Sequence, residues 1–459
     1  MSLIKEVNLN LNLYQLPSTS SIQKAMLLID ENKSGFVCLL DNLQKVIGIL
    51  TDGDIRRYLI KNANVNVQCE SIMNAQFVWV SEEASREQVL KLLDHKIHII
   101  PVLSVDKKLV RIISKDVFPL NLEQPFYARS KSPVRISFGG GGTDMTRYFM
   151  ENGGAVLNAT VRMYSHATLR KRDDMSIKIY SHDLDKVVEA PSLDQVQDKS
   201  FSLIVSLIKL IKPDFGFELE IGSDFPVGSG LGGSAVVMSA IAGCFNQFRV
   251  DTWDNYEIAE ICFQAERLHL GVAGGWQDQY ATVFGGHNFM EFNHDNNVVH
   301  PLRVKDDVIK ELEETLILCY TGKLHHSGNI QTQFQKQIQS SDDVQKLIAI
   351  NKDLTYQMKT HLLKGKIKEL GQAVHQSWIC KRQFSAGITD HELDAIYSFA
   401  MDHGSYGGKL LGAGGGGYFL FFVEPFKKYQ LIKQLTQKGY VCSNVNFDDQ
   451  GLQAWKVRF

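Results

Sequence analysis

At 459 residues the chain is long for a single hydrophobic core, so two or three domains are expected. A hydrophobic share of 44%, a charged share of 22% and a formal net charge of -2 describe an ordinary soluble globular protein and exclude a basic nucleic-acid-binding surface. The N-terminal Met1-Ser-Leu-Ile-Lys-Glu6 has no basic segment ahead of a long apolar core, and runs such as Phe201–Ile211 are too short and too interrupted to cross a bilayer. A cytoplasmic protein with no membrane partner is expected. The seven cysteines stand far apart, without a Cys-x-x-Cys pair, and read as buried thiols of a reducing compartment.

Residues 1–124 contain two segments of one design. In the first, the helical spacing of Ile22, Ala25, Met26 and Ile29 leads to the strand-like Gly35–Leu40, a turn at Asp41-Asn42, Val46–Leu50, and then Thr51-Asp-Gly-Asp54 opening a second helix. In the second, Arg86–His95 predicts a helix, Ile97–Val102 and Leu109–Ile113 predict strands, and Ser114-Lys-Asp-Val117 stands where Thr51–Asp54 stood. One helix–strand–strand–helix unit, repeated, predicts two packed copies in an α/β module. The pattern resembles a CBS pair, and Gly48-Ile-Leu-Thr-Asp-Gly-Asp54 is similar to that family's adenosine-site motif. The resemblance implies Thr51 beside a phosphate and Asp54 on ribose hydroxyls of an adenine nucleotide. Val117 puts no carboxylate at the matching place of the second copy. Nucleotide sensing and plain support of a homodimer both remain open, and Asp52 and Asp54 read equally well as helix-capping residues.

Pro119, Asn121–Gln124 and Pro125 form a polar linker. Beyond it, an alternating strand containing Arg135 runs into Gly139-Gly-Gly-Gly142-Thr143-Asp144. Arg135 either caps a sheet edge or, close to a bound phosphate, offsets the charge of a phosphoryl group in transfer. Asp144 either caps a helix over Thr146–Met150 or holds substrate hydroxyls. The most informative stretch is Pro226-Val-Gly228-Ser229-Gly230-Leu231-Gly232-Gly233-Ser234-Ala235, between the strand Phe217–Ile221 and the apolar helix start Val236–Ala242. Its glycines remove the side chains that would keep a ligand from the backbone, and the amides at a helix start make an anion site. No Lys-Ser/Thr pair follows the glycines, so it is not a Walker A loop.

Downstream, Asp254 and Glu257 form a capping box for a helix whose spacing runs through Ile258, Ile261, Cys262, Ala265 and Leu268 to Gly271. Glu266 falls on the buried row and needs a partner, either a metal cation or a basic side chain. In Ala273-Gly-Gly-Trp-Gln-Asp278-Gln-Tyr, Asp278 reads as an acid–base residue or as a turn aspartate. Finally, Gly407–Gly417, followed by the strand Tyr418–Val423, reads as a second backbone surface over the phosphate loop or as a hairpin turn.

Taken in order, Ser132–Gly142, Pro226–Ser234 and Leu411–Gly417 resemble the three motifs of the GHMP kinases, and the likeness spans about Ser130 to the C-terminus. It implies an α+β fold of two subdomains, 125–300 and 301–459, preceded by the CBS module. It also implies ATP phosphates on Pro226, Gly228, Ser229, Gly230, Leu231, Gly232, Gly233 and Ser234. Mg²⁺ would sit on Ser234 and Glu266, with Asp278 as base, Arg135 beside it, and substrate on Gly141, Gly142, Thr143, Asp144, Gly414 and Gly415. Within the family, Gln277–Ala281, Tyr320-Thr-Gly322, Trp378–Arg382 and Gly408–Gly417 look most like the bacterial kinases of heptose 7-phosphate, which phosphorylate an anomeric hydroxyl for surface polysaccharide synthesis. The acceptor's own phosphate then implies cations, with Lys381, Arg382 and Lys409 as candidates or as plain surface charges. His325-His-Ser-Gly-Asn329 is placed by the sugar. Two other readings stay open: a fucose-type sugar without phosphate, and a nucleotide-sensing protein with an inert kinase half.

Overall fold

The computed structural model describes residues 10–93, 97–114, 126–226, 228–323 and 327–458. The linker, Val117, Val227, His325 and His326 lie outside these. The chain divides into two compact units, Met1–Gln124 and Pro125–Phe459.

In the first unit, β1 (Gln15–Pro17), α1 (Ile22–Asn32), β2 (Phe36–Leu40), β3 (Val46–Thr51) and α2 (Asp52–Asn62) form one copy. The second copy is β4 (Val80–Ser81), α3 (Arg86–Leu92), β5 (Ile99–Leu103) and β6 (Leu109–Ser114). Each builds a three-stranded sheet with one parallel and one antiparallel pair, so the internal repeat holds at the level of strand order. α1 keeps Ile22, Ala25 and Ile29 inside, as the spacing predicts, but Met26 is largely exposed.

The second unit begins with β7 (Phe126–Gly139), α4 (Thr146–Asn152), β8 (Gly154–Lys171), β9 (Ile177–Ser181) and β10 (Lys186–Ala190). It continues through α5 (Ser202–Ile211), β11 (Phe217–Ser223), α6 (Gly233–Asn246), α7 (Asn255–Phe263), α8 (Gln277–Phe284), β12 (His287–Phe292) and β13 (Asn297–Pro301). Then follow α9 (Asp306–Thr315), β14 (Leu316–Tyr320), α10 (Ser327–Ser340), α11 (Asp342–Leu363), α12 (Ile367–Lys381) and α13 (His391–Asp402). It closes with β15 (Ser405–Leu410), β16 (Tyr418–Val423), α14 (Lys428–Gln437), β17 (Val441–Asn444), β18 (Phe447–Asp448) and β19 (Gln453–Arg458).

Among the described residues, these strands make a nine-stranded and a four-stranded sheet, an α+β arrangement. The larger runs β10-β9-β11-β8-β12-β13, and the long β8 also pairs with β7 and β18. Although residues after 300 were expected to form a separate subdomain, β18 and β19 return to pair with β8 and β7. The smaller sheet is ordered β15-β16-β14-β17. α6 is buried along almost its whole length, from Ala235 to Asn246, against β7 and β8. A helix apolar all round belongs in an interior, and its burial fixes the helix start that the glycine loop feeds. All seven cysteines are free thiols. Among the described residues no helix is long and apolar enough to cross a membrane.

Candidate active site

The loop before α6 is shaped by glycine. Gly228, Gly230 and Gly232 have φ of +75°, +77° and +80°, a left-handed region that side chains resist. α6 starts behind them with no side-chain cap, so its first amides stay free for an anion. The third glycine stretch packs on this loop, main chain to main chain. A Cβ on Gly412 would lie 2.8 Å from the Gly230 Cα, and one on Gly417 would lie 2.4 Å from the Ser229 carbonyl oxygen. The stretch is therefore the β15–β16 hairpin connection and packs its backbone on the glycine loop before α6. Pro226 is exposed and Leu231 is buried in the core, and neither lines the cavity, unlike Gly228, Ser229, Gly230, Gly232, Gly233 and Ser234.

The same cavity, about 420 Å³, reaches Glu266, Asp278 and Asp144. α7 begins with the expected Asp254–Glu257 capping box and then widens into a π turn, Gln264–His269. That turn keeps Glu266 inside, 4% exposed, but carries Leu268 outward to 70% exposed, away from the buried row that regular helical spacing predicts. Ser234 Oγ donates to Glu266 Oε1 at 2.6 Å, and Gln279 Nε2 donates to Oε2 at 2.8 Å. Arg267 Nη2 stands 3.4 Å from Oε2, so a basic partner is present beside the hydroxyl. Arg267 also donates to the Val272 and Ala273 carbonyls, in space left open by the missing Cβ of Gly274. Carboxylate and hydroxyl oxygens at one cavity wall can hold a hard divalent cation.

Asp278 lies in the first turn of α8 rather than in a loop. Arg135 Nε donates to Oδ1 and Nη2 to Oδ2, each at 2.9 Å, while Nη1 donates to the Gly230 carbonyl at 2.9 Å. This bidentate pair fixes the carboxylate beside the glycine loop. A Cβ on Gly232 would come within 3.4 Å of Asp278 Oδ2. Arg135 is thus buried inside the site, not capping an edge.

Asp144 does not cap α4, whose N-cap is Met145. It accepts from the Gly142 amide at 3.1 Å and from the Gln277 amide at 3.2 Å, joining the first glycine motif to the start of α8. Burial, and secondarily the charge of Asp278, pushes its carboxyl above the usual range. Gly141 and Gly142 line the cavity. Thr143 does not: it is fully buried, and its hydroxyl is held by the Gly140 and Ala155 main chain.

The candidate cations separate. Lys381 reaches the cavity, its Nζ donating to the Leu410 carbonyl at 3.3 Å and to the Gly412 carbonyl at 2.5 Å. Burial, then Arg135, lowers its amine to about 7. Lys409 also borders the cavity, 2% exposed and within reach of the Phe138 carbonyl, with its amine pushed well below the usual range by burial and by Lys381. Arg382 turns away and pairs with Asp394 at 2.9 Å, so it is no cavity cation. Gly414 and Gly415 pack on Ile388 and Ile330 and do not line the cavity. Two features escaped the sequence reading: Arg267, and an apolar wall in which Phe334 and Phe384 stack at 5.1 Å beside Gly142. Adjacency to Glu266 was a signal for the first; the second has none.

In the first unit, Thr51 is the N-cap of α2, and Asp54 closes the capping box. The Thr51 hydroxyl donates to Asp54 Oδ2 at 2.6 Å, and Arg57 pairs with Oδ1. The capping role expected of Asp52 and Asp54 thus belongs to Thr51 and Asp54. A hollow between α1 and α2, lined by Lys33, Asp52 and Arg56 among others, includes neither Thr51 nor Asp54.

Free amides for an anion, a hydroxyl–carboxylate pair beside them and a positioned acid make the equipment of a phosphotransferase, in which positioning and electrostatics do most of the catalysis. Comparison with known families agrees. The GHMP kinases N terminal domain matches residues 202–286, the GHMP kinases C terminal domain matches 358–441, and the CBS domain matches 4–61 and 69–116. The D-glycero-alpha-D-manno-heptose 7-phosphate kinase of Campylobacter jejuni is 37% identical over 337 residues, 72% of this chain and 99% of that protein. The L-fucokinase/L-fucose-1-P guanylyltransferase of Bacteroides fragilis is 28% identical over 67% of this chain but only 36% of its own length. Among solved structures, a D-glycero-D-manno-heptose 1-phosphate kinase from Bacteroides thetaiotaomicron superposes with a TM-score of 0.61 at 29% identity, covering 72% of this chain and 100% of that one. The chain belongs to the GHMP kinases, ATP-dependent phosphotransferases, and carries two CBS domains at its N-terminus.

Proposed function

We propose that the protein is a sugar kinase that phosphorylates the anomeric hydroxyl of D-glycero-D-manno-heptose 7-phosphate to the 1,7-bisphosphate, toward nucleotide-activated heptose and surface polysaccharide. The amides of Gly228–Ser234 take the triphosphate of ATP. Asp278 accepts the hydroxyl proton as the sugar oxygen bonds the γ-phosphorus and the bond to the β-phosphate oxygen breaks, releasing ADP. Arg135 orients Asp278, and Asp144 takes sugar hydroxyls. Ser234 and Glu266 are the residues that hold Mg²⁺, which when bound offsets charge on the phosphate oxygens.

The observation that carries the reading is the Arg135–Asp278 pair, with both carboxylate oxygens engaged at 2.9 Å and one guanidinium reaching the phosphate loop. The heptose relatives support the acceptor. Arg382, paired with Asp394, favours a second reading, an unphosphorylated fucose-type sugar. The Ser234–Glu266 and Arg135–Asp278 pairs speak against an inert kinase half. ADP release measured side by side on heptose 7-phosphate, fucose, galactose and mevalonate tests the reading, which predicts turnover on the first alone. Turnover on fucose alone would replace it with the second, and no turnover on any of the four would refute it. The same reading includes a cytoplasmic homodimer and an adenine nucleotide on Thr51 and Asp54. Light scattering tests the first. AMP binding that survives Asp54→Ala would remove the second.

A further inference from the structure

Each nitrogen of Arg135 is already engaged. Nε and Nη2 are on Asp278, Nη1 is on the Gly230 carbonyl, and the side chain is 5% exposed. Nη1 and Nη2 each keep one further N–H, but the guanidinium charge is already set against the Asp278 carboxylate, so a second cation at this loop would add to the charge offset on a transferring phosphoryl group. The Lys381 ammonium has three donors, of which the Leu410 and Gly412 carbonyls take two. Gly412 in turn packs directly on Gly230, the residue Arg135 grips. The amine of Lys381 thus stands in the cavity wall, one residue's packing away from the Gly230 turn of the glycine loop. The charged groups acting on it are Arg135, Lys409, Asp144 and Asp278. Burial and the neighbouring Arg135 disfavour the charged amine while Asp144 and Asp278 favour it, so an incoming phosphate shifts Lys381 toward its protonated form.

We propose that Lys381 is a catalytic residue whose ammonium stabilises the phosphoryl group during transfer, adding to a charge that Arg135, paired with Asp278, supplies only in part. The inference rests on the kinase reading of this cleft but not on which sugar is the acceptor. No covalent bond to Nζ forms. The amine takes a proton from solvent when the anionic nucleotide arrives and keeps it through transfer. Burial lowers the free amine to about 7, so the working form is lost as pH rises, at a pH above that value when phosphate is bound.

The test measures acceptor-dependent turnover and acceptor-free ATP hydrolysis from pH 6 to 9.5 for wild type, Lys381→Gln and Lys381→Arg. Both wild-type rates should fall toward alkaline pH. Lys381→Gln should lower both about a hundredfold, the scale of one lost electrostatic donor, change ATP binding less than about threefold, and abolish the alkaline fall. Lys381→Arg should recover part of the rate with no alkaline fall, because a guanidinium does not titrate there. A flat wild-type profile overturns the proposal by itself, even if the variants do not fold. So does an alkaline fall that persists in Lys381→Gln. A raised KM for a phosphorylated acceptor with ATP hydrolysis untouched also overturns it, and makes Lys381 an anchor for the acceptor's own phosphate. If the sugar reading alone fails, acceptor-dependent turnover is absent while acceptor-free hydrolysis still shows the predicted differences.

Discussion

Asp278→Asn separates chemistry from architecture in this site. Asparagine keeps one acceptor oxygen and puts an amide NH₂ where the second stood. One of the two 2.9 Å bonds from Arg135 survives, and the other becomes donor against donor. A hydrogen bond to a charged group contributes about 1.5–3 kcal/mol. Asp278 is 22% exposed, so water replaces part of the loss and the lower end, about 1.5 kcal/mol, is expected. Loss of a proton acceptor lowers the rate at least roughly a hundredfold, about 2.7 kcal/mol of barrier. The assay is single-turnover ADP formation at saturating ATP, paired with ATP binding and thermal melting. The expected result is a modest fall in melting temperature, near-normal ATP affinity and the large rate loss. A folded variant turning over within about threefold of wild type removes Asp278 from the mechanism. Parallel loss of ATP binding would instead make the Arg135–Gly230 strut its main task.

Gly412→Ala places a Cβ 2.8 Å from Gly230 at a φ of +70°, so the phosphate loop must shift; ATP affinity should fall at least about tenfold, and an unchanged Kd by titration refutes the packing argument. Glu266→Gln should raise the Mg²⁺ concentration needed for half-maximal rate and shrink the Mg²⁺-dependent melting shift of the ATP complex; unchanged values exclude Glu266 as a ligand. Thr51→Ala removes the N-cap of α2 and should cost the first unit about 1 kcal/mol, seen as faster amide exchange in Asp52–Asn62; unchanged exchange would show that the capping box contributes nothing.

What the sequence revealed follows from where glycine is indispensable. The loops around Gly142, Gly230 and Gly412 were legible because left-handed turns and backbone contact leave a composition signature. The repeated first unit was legible because its helix and strand patterns recur in register. Pairings across long separations left no such mark: Arg135 meets Asp278 across 143 positions. Lys381 and Arg382 are neighbours at the end of α12, yet the rotation between successive helical residues sends one amine into the cavity and the other side chain to Asp394. Nor does a periodic pattern announce the π turn that displaces Leu268. Thr143 sits inside a glycine motif yet serves the fold, because its hydroxyl accepts from the Ala155 amide and donates its one proton to a main-chain carbonyl, of Gly140 or Ala155.

The pairing of β18 with β8 and β19 with β7 has a consequence for synthesis. A ribosome delivers β7 and β8 more than 280 residues before their last partners. Until residues 453–458 emerge, the nascent chain presents the β7 edge unpaired, the kind of edge that recruits strands from other chains. Closure of that sheet therefore waits for residues 447–458, and a product truncated before them would carry the glycine-lined cleft on an unfinished scaffold.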